Sequence, residues 1–225
     1  MKLCIDHADV NEIRRLYTLY PIDGVSTNPT ILARCGRPPY EVLKEIRDII
    51  GPEGELFVQV LSPDAGGMVR EAGRIVSELG RSTLVKVPCV PEGFRAMKAL
   101  KQEGIRFIGT AVYTAMQGFL AAKCGADYVA PYINRIDNMG FDGVRVAKDI
   151  HDAIRNSGYD SGLLAASFKN SQQVLELTKY GVKAVTLSPE VLDGLVKNPA
   201  IDAAVRQFAA DFEMLAGRNA TMENC

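Results

Sequence analysis

Eight short apolar runs recur along this chain, and each is followed by a longer stretch of helical period. The runs fall at residues 2–6, 24–27, 56–60, 84–87, 107–111, 128–132, 163–167 and 184–187. Short segments that are mostly apolar and rich in β-branched residues suit parallel strands covered on both faces. Between them, residues 65–79 place Met68, Ala72, Ile75, Val76 and Leu79 on one stripe, the spacing of an amphipathic helix. Eight such units predict a (β/α)8 TIM barrel of the α/β class. The chain has 225 residues, about 28 per unit, slightly compact for a fold that typically takes ~250. No linker or low-complexity tract interrupts the rhythm, so residues 1–225 read as one barrel domain. An additional C-terminal helix is expected at about 199–216, after the eighth strand.

The helix ends agree with that register. Ser188-Pro189-Glu190 offers an N-cap serine followed by proline at the first helical position. Asn170-Ser171-Gln172-Gln173 has the form of a capping box. Gly51, Gly80, Gly104, Gly125, Gly158 and Gly181 follow helical stretches, where a left-handed C-cap is wanted.

In a barrel, chemistry belongs at the C-terminal ends of the strands. The polar residues there are Asp6, Ser26, Asn28, Gln59, Lys86, Thr110, Tyr132, Arg135 and Ser167. Lys86 is the sharpest, set in Leu84-Val85-Lys86-Val87-Pro88. If the valines face the helices, alternation turns Lys86 into the barrel. An unpaired ammonium there is costly and tends to lose its proton, and a neutral amine is a nucleophile toward carbonyls. The competing reading is a structural Lys–Asp pair closing one barrel end. Asp6 reads equally as a partner of Lys86, a general base, or an N-cap for the helix beginning near Ala8. Asn28 precedes a proline and also suits a turn. Gln59, mid-strand, needs partners for a buried amide. Thr110 alone is ordinary for a strand. Arg135 matches phosphate geometry, although arginines as often make surface ion pairs. Ser167 precedes a helix in the region where barrels often hold phosphate.

Other classes are poorly supplied. Lys plus Arg total 26 against 27 Asp plus Glu, a net charge of −1, without the basic face of a general nucleic-acid binder. No apolar run approaches the ~20 residues of a membrane-spanning helix. The acid at Asp6 interrupts any signal-peptide core, so a cytoplasmic location is expected. Five cysteines at wide spacing, Cys4, Cys35, Cys89, Cys124 and Cys225, suit a reducing compartment, with Cys225 alone expected to be exposed. In that setting Asn219-Ala220-Thr221 reads as a chance tripeptide rather than a glycosylation acceptor. There is no phosphate-binding or dinucleotide glycine motif, and His7 and His151 are the only histidines, too few for a catalytic zinc site. Asp6 and His7 are strand neighbours and point to opposite faces, so they do not converge on a metal.

Several segments together carry a resemblance. They are Gly24-Val25-Ser26-Thr27-Asn28-Pro29-Thr30, Val85-Lys86-Val87-Pro88, Glu92-Gly93, Gly109-Thr110-Ala111-Val112-Tyr113, the run from Tyr128 through Ala130-Pro131-Tyr132 and Asn134-Arg135 to Asp137, and Leu164-Ala165-Ala166-Ser167-Phe168-Lys169. In this order the chain resembles the transaldolase family, most closely its small fructose-6-phosphate aldolase branch, from residue 1 to about 217. The resemblance implies a Schiff-base lysine at Lys86. It implies active-site polar groups at Asp6, Asn28, Gln59, Thr110 and Tyr132, and phosphate binders at Arg135 and Ser167. It also implies chemistry without metal or other cofactor, sugar phosphates as partners with no nucleic acid or membrane, and a homo-oligomer, a decamer of two pentamers whose C-terminal helices meet neighbours.

Three positions favour the aldolase over the transaldolase branch. Gln59 and Tyr132 stand where resembling transaldolases carry glutamate and phenylalanine, and Ala130 where they tend to carry serine. Ser26, in place of a threonine common in the aldolases, and His7, in place of a small hydroxyl residue, are departures near the expected mouth. The first expectation is therefore a class I aldolase cleaving fructose 6-phosphate to dihydroxyacetone and glyceraldehyde 3-phosphate. The alternatives are a transaldolase of the pentose phosphate pathway using the same lysine, or a catalytically silent sugar-phosphate-binding barrel.

Overall fold

The computed structural model describes residues 1–225. Eight parallel strands close in sequence order into a barrel. In chain order the elements are β1 (Lys2–Asp6), α1 (Val10–Leu19), β2 (Gly24–Ser26), α2 (Pro29–Arg34), α3 (Pro39–Ile50), β3 (Glu55–Gln59), α4 (Ala65–Leu79) and β4 (Leu84–Pro88). Then follow α5 (Pro91–Gln102), β5 (Phe107–Val112), α6 (Ala115–Lys123), β6 (Tyr128–Pro131), α7 (Ile133–Asp137), α8 (Gly143–Asn156) and β7 (Gly162–Ala165). The chain ends with α9 (Ser171–Tyr180), β8 (Ala184–Leu187), α10 (Pro189–Gly194) and α11 (Pro199–Ala216). This is the (β/α)8 barrel with an extra C-terminal helix that the sequence rhythm predicts. No helix is long and apolar enough to cross a membrane.

Strand alternation divides the core in two. Outward residues such as Ile5, Val25, Leu56, Val58, Val85, Val87, Val129, Leu163 and Val185 join the helices in a large apolar cluster. Inward residues form a smaller cluster of Cys4, Phe57, Leu84, Ile108, Tyr128, Ala130, Leu164 and Ala184, none more than 2% exposed. The barrel is thus packed solid through its middle. Below that plug, Glu55 closes the N-terminal end. It pairs with Lys2 Nζ at 2.8 Å and accepts from the Tyr128 hydroxyl at 3.2 Å. A buried carboxylate with those partners is compensated.

Local chemistry sets the ends of several elements. Ser188 caps α10, its Oγ accepting from the Val191 N–H. Asn170 caps α9 as expected, accepting from the Gln173 N–H. The box there is incomplete, however, because the Gln173 side chain accepts from Lys169 N–H instead of the cap residue's own. A complete capping box stands elsewhere, at Thr114 and Gln117 of α6. The six glycines expected after helices all take positive φ, and Gly181 shows why, ending α9 in the left-handed conformation. Gly93 is a glycine for another reason. A Cβ there would stand 1.8 Å from the Pro88 carbonyl oxygen, so only glycine lets α5 start hard against the end of β4.

The strand ends differ by a residue or two from the sequence expectation, and β5 shows a physical cause. Its pairing with β6 shifts register between Gly109 and Val112, and Ala111 has φ +55°. This is a bulge: Thr110 faces inward by ordinary alternation from Ile108, and one extra residue then returns Val112 to the outer core. All five cysteines are free, and Cys225 alone is exposed.

Candidate active site

Two residues beyond five members of the inner plug, the strands change character. Cys4 is followed by Asp6, Phe57 by Gln59, Leu84 by Lys86, Ile108 by Thr110, and Ala130 by Tyr132. A period of two carries all these polar groups to the C-terminal mouth of the barrel. There Asp6, Gln59, Lys86 and Tyr132 line a cavity of about 240 Å³ together with Asn28, Arg135 and Ser167, among others. Asp6 and His7 diverge as expected, since His7 lines a different cavity between α1 and α2.

Lys86 rises from the floor and is 4% exposed. Its Nζ donates to Ser26 Oγ and to the Thr27 carbonyl oxygen, both at 2.9 Å. Both partners are neutral, and Nζ makes no ion pair with a carboxylate; the Lys–Asp closing pair is therefore not what this end of the barrel contains. Burial holds the amine below the ordinary lysine range, and the Asp6 charge only partly opposes this. Asp6 opens onto the cavity but is otherwise walled by protein. Burial pushes its carboxyl above the usual range, against the opposing pull of Lys86 and Ser26. Asp6 is not a helix cap, because Asp9 takes that role for α1.

The walls are built by short connections. Asn28 caps α2, its Oδ1 accepting from the Ile31 N–H at 3.0 Å, while the residue also lines the cavity. Turn residue and cavity residue are therefore the same asparagine. The Tyr132 hydroxyl and Thr110 Oγ1 share a hydrogen bond of 2.9 Å. Tyr132 is held by an edge contact to the Tyr113 ring at 5.6 Å and by the Arg135 guanidinium 4.8 Å over its face. The Tyr113 hydroxyl in turn faces Arg135 and strengthens its hold on its proton.

Arg135 and Ser167 come from different strand ends but are fastened together. The Ile133 and Asn134 N–H groups donate to the Ala166 and Ser167 carbonyls at 2.9 and 2.8 Å. Ser167 has φ +60°, a conformation a serine keeps only when its surroundings impose it, and such positions cluster at functional sites. Asp137 braces the same corner, accepting from Gly143 N–H and from Gln173 Nε2.

Three sequence-predicted residues lie behind the lining. Ser26 is wholly buried beneath Lys86, Thr110 is buried behind Tyr132, and Ala130 belongs to the inner apolar plug. Conversely, the sequence reading assigns no role to Tyr113 or Thr186. Thr186 is buried on β8 with no partner for its hydroxyl. Its only signal is position, two residues beyond the inward Ala184. Tyr113 acts through the bulge and α7, which no local pattern reports.

Fold and cavity together define a (β/α)8-barrel protein with a desolvated lysine on the floor of the mouth cavity and an arginine at its rim. A sequence profile of the Transaldolase/Fructose-6-phosphate aldolase family matches residues 3–224, and the chain belongs to that family. It is therefore an enzyme of the transaldolase/aldolase type.

Proposed function

We propose that the protein is a class I aldolase that reversibly cleaves fructose 6-phosphate to dihydroxyacetone and glyceraldehyde 3-phosphate. The observation that carries this reading is the Tyr132 hydroxyl on the wall of the cavity that holds Lys86, hydrogen-bonded to the buried Thr110 hydroxyl behind it. A transaldolase must keep water away from its enzyme-bound enamine, whereas paired hydroxyls hold and orient water.

The phosphate is gripped by Arg135 and Ser167, which suit its fork of oxygens. Lys86 attacks the C2 carbonyl, water is lost, and the resulting iminium serves as electron sink. Asp6 takes the C4 hydroxyl proton as the C3–C4 bond breaks, releasing the aldehyde. A three-carbon enamine remains on Lys86. Tyr132, backed by Thr110 and Gln59, delivers a proton to C3 through a held water, and hydrolysis frees dihydroxyacetone. Asn28 fixes the ketose hydroxyls in place. No metal is required, since the iminium takes the charge.

The decisive assay follows glyceraldehyde 3-phosphate release from fructose 6-phosphate with and without erythrose 4-phosphate. Multiple-turnover release without the acceptor is the expected result. Strict dependence on the acceptor would assign the protein to the transaldolases instead.

A homo-oligomer is part of the same proposal. None of the residues of α11 is buried, and Ile201, Val205, Phe208 and Leu215 are 52%, 59%, 70% and 84% exposed. An apolar stripe of helical spacing left in water favours a second copy of the chain as its cover. Introducing Val205→Glu with Phe208→Glu should lower the assembly mass seen by light scattering while leaving the barrel's circular dichroism intact. An unchanged mass would place the interface elsewhere.

A further inference from the structure

As the proposed phosphate grip, Arg135 and Ser167 must keep one spacing although separate segments carry them. Arg135 is carried by α7, five residues long and too short to hold its own shape. Ser167 is carried by the loop after β7 and sits in a strained conformation, φ +60°. The segments are tied at two points. At the first, the Ile133 and Asn134 N–H groups donate to the Ala166 and Ser167 carbonyl oxygens. The second is made by two side chains, Asp137 of α7 and Gln173 of α9. Gln173 Nε2 donates to Asp137 Oδ2 at 2.6 Å, and Gln173 Oε1 accepts from the Lys169 N–H at 2.8 Å. Asp137 Oδ1 accepts from the Gly143 N–H at 2.7 Å, which fastens the carboxylate to the start of α8. Arg135 falls between the ties on one segment; Ser167 takes part in the first and lies two residues from the second on the other. Neither Asp137 nor Gln173 lines the cavity, so a bound ketose is not their partner.

We propose that Asp137 and Gln173 are positioning residues that set the spacing of Arg135 and Ser167 for the phosphate of a ketose phosphate. Their chemistry allows one arrangement. Both carboxylate oxygens of Asp137 and both ends of the Gln173 amide are engaged. Turning the amide over would set its oxygen against the carboxylate and its NH2 against the Lys169 N–H. The Gln173 backbone is held as well, its N–H donating to Asn170 Oδ1 at 3.0 Å. The pair therefore joins α7, the start of α8 and the loop before α9 in a single geometry. A guanidinium fork matches phosphate oxygens only when it is aimed correctly, and about 1 Å of misplacement is enough to weaken such a site.

This rests on Arg135 and Ser167 gripping the phosphate, and the test separates the two ideas. Adducts on Lys86 are trapped with borohydride and followed by intact mass, with fructose 6-phosphate or dihydroxyacetone as substrate. The proteins are the parent, Gln173→Glu, Asp137→Asn, the double variant and Arg135→Ala. Gln173→Glu sets two carboxylates against each other, and Asp137→Asn sets two NH2 groups against each other. Each should raise the half-saturating concentration of fructose 6-phosphate by about tenfold, the scale of one hydrogen bond to a charged group. Dihydroxyacetone carries no phosphate, so its half-saturation should stay as in the parent. The double variant exchanges amide and carboxylate across the same bond and keeps acceptors for the Gly143 and Lys169 N–H groups. It should return fructose 6-phosphate to the parent's value. Unchanged half-saturation in the single variants, an equal loss with both substrates, or a double variant no better than the singles would overturn the positioning role. If Arg135→Ala leaves fructose 6-phosphate unaffected, the phosphate grip is overturned, and the positioning role with it. No adduct in the parent would overturn the Lys86 nucleophile and both assignments built on it.

Discussion

Lys86→Met is expected to remove fructose 6-phosphate cleavage by at least ~10⁴-fold and, at the same time, to raise the melting temperature at pH 7. The first effect follows from deleting the nucleophile, since no other amine reaches the cavity. The second follows from burial. Lys86 is 4% exposed and is held below its ordinary range, so at neutral pH folding must either desolvate its charge or strip its proton. Removing one partner of a buried ion pair usually destabilises, but here Nζ bonds to a hydroxyl and a carbonyl. The apolar methionine has a volume close to that of the lysine stem and lacks the charge. A gain of roughly 1–2 kcal/mol corresponds to about 2–8 °C in a chain of this size.

The sign with pH is a further check. Between the folded value of Lys86 and 10.5 the unfolded chain binds more protons, so the parent gains stability as pH rises through that window. The advantage of Lys86→Met should therefore be largest near pH 7 and fade toward pH 10. A lower melting temperature at pH 7 would show that the amine stabilises the fold and would contradict the desolvation argument.

Tyr132→Phe carries the second large effect. The substitution removes the hydroxyl and keeps the ring, so the edge contact to Tyr113 and the stacking of Arg135 should survive. Phosphate binding, and with it KM, should change little. Thr110 loses its partner, and the enamine loses its proton donor. Acceptor-free release of dihydroxyacetone should fall by ~10²-fold, within the usual range for loss of a general acid. Transfer to erythrose 4-phosphate needs no such protonation and should persist, so the product ratio moves toward the transaldolase. The measurement is that ratio under matched substrate. An unchanged partition would remove Tyr132 from the protonation step.

Much of this site is legible in the strands because period-two alternation is a local property. Lys86 among valines, and Gln59 two residues beyond Phe57, announce an inward polar layer without any tertiary information. The barrel follows from repetition, and α4 from its apolar stripe. What is not legible depends on contacts across the fold. The bulge at Ala111 is set by pairing with β6, so the outward return of Val112 is invisible locally. The stack of Tyr113, Tyr132 and Arg135 joins β5, β6 and α7, and only closure of the barrel creates it. Ser26 looks like any strand-end hydroxyl until Lys86, from a strand two places away, is seen to rest on it. Asn170 shows the same limit at small scale, where the right residues make half of the expected box.

The sealed lower end of the barrel has a kinetic corollary. With Glu55 bound to Lys2 and Tyr128 below, and the other seven inward side chains packed above them, the reaction vessel has a single door. Whatever enters must leave by the same opening, and Arg135 stands at the door while Lys86 sits at the back. In the proposed aldolase reaction the phosphorylated fragment is then first out, and the three-carbon fragment tethered to Lys86 cannot pass it. Traffic through the mouth becomes strictly ordered: free aldehyde should inhibit by meeting the loaded enzyme, and dihydroxyacetone by meeting the empty one.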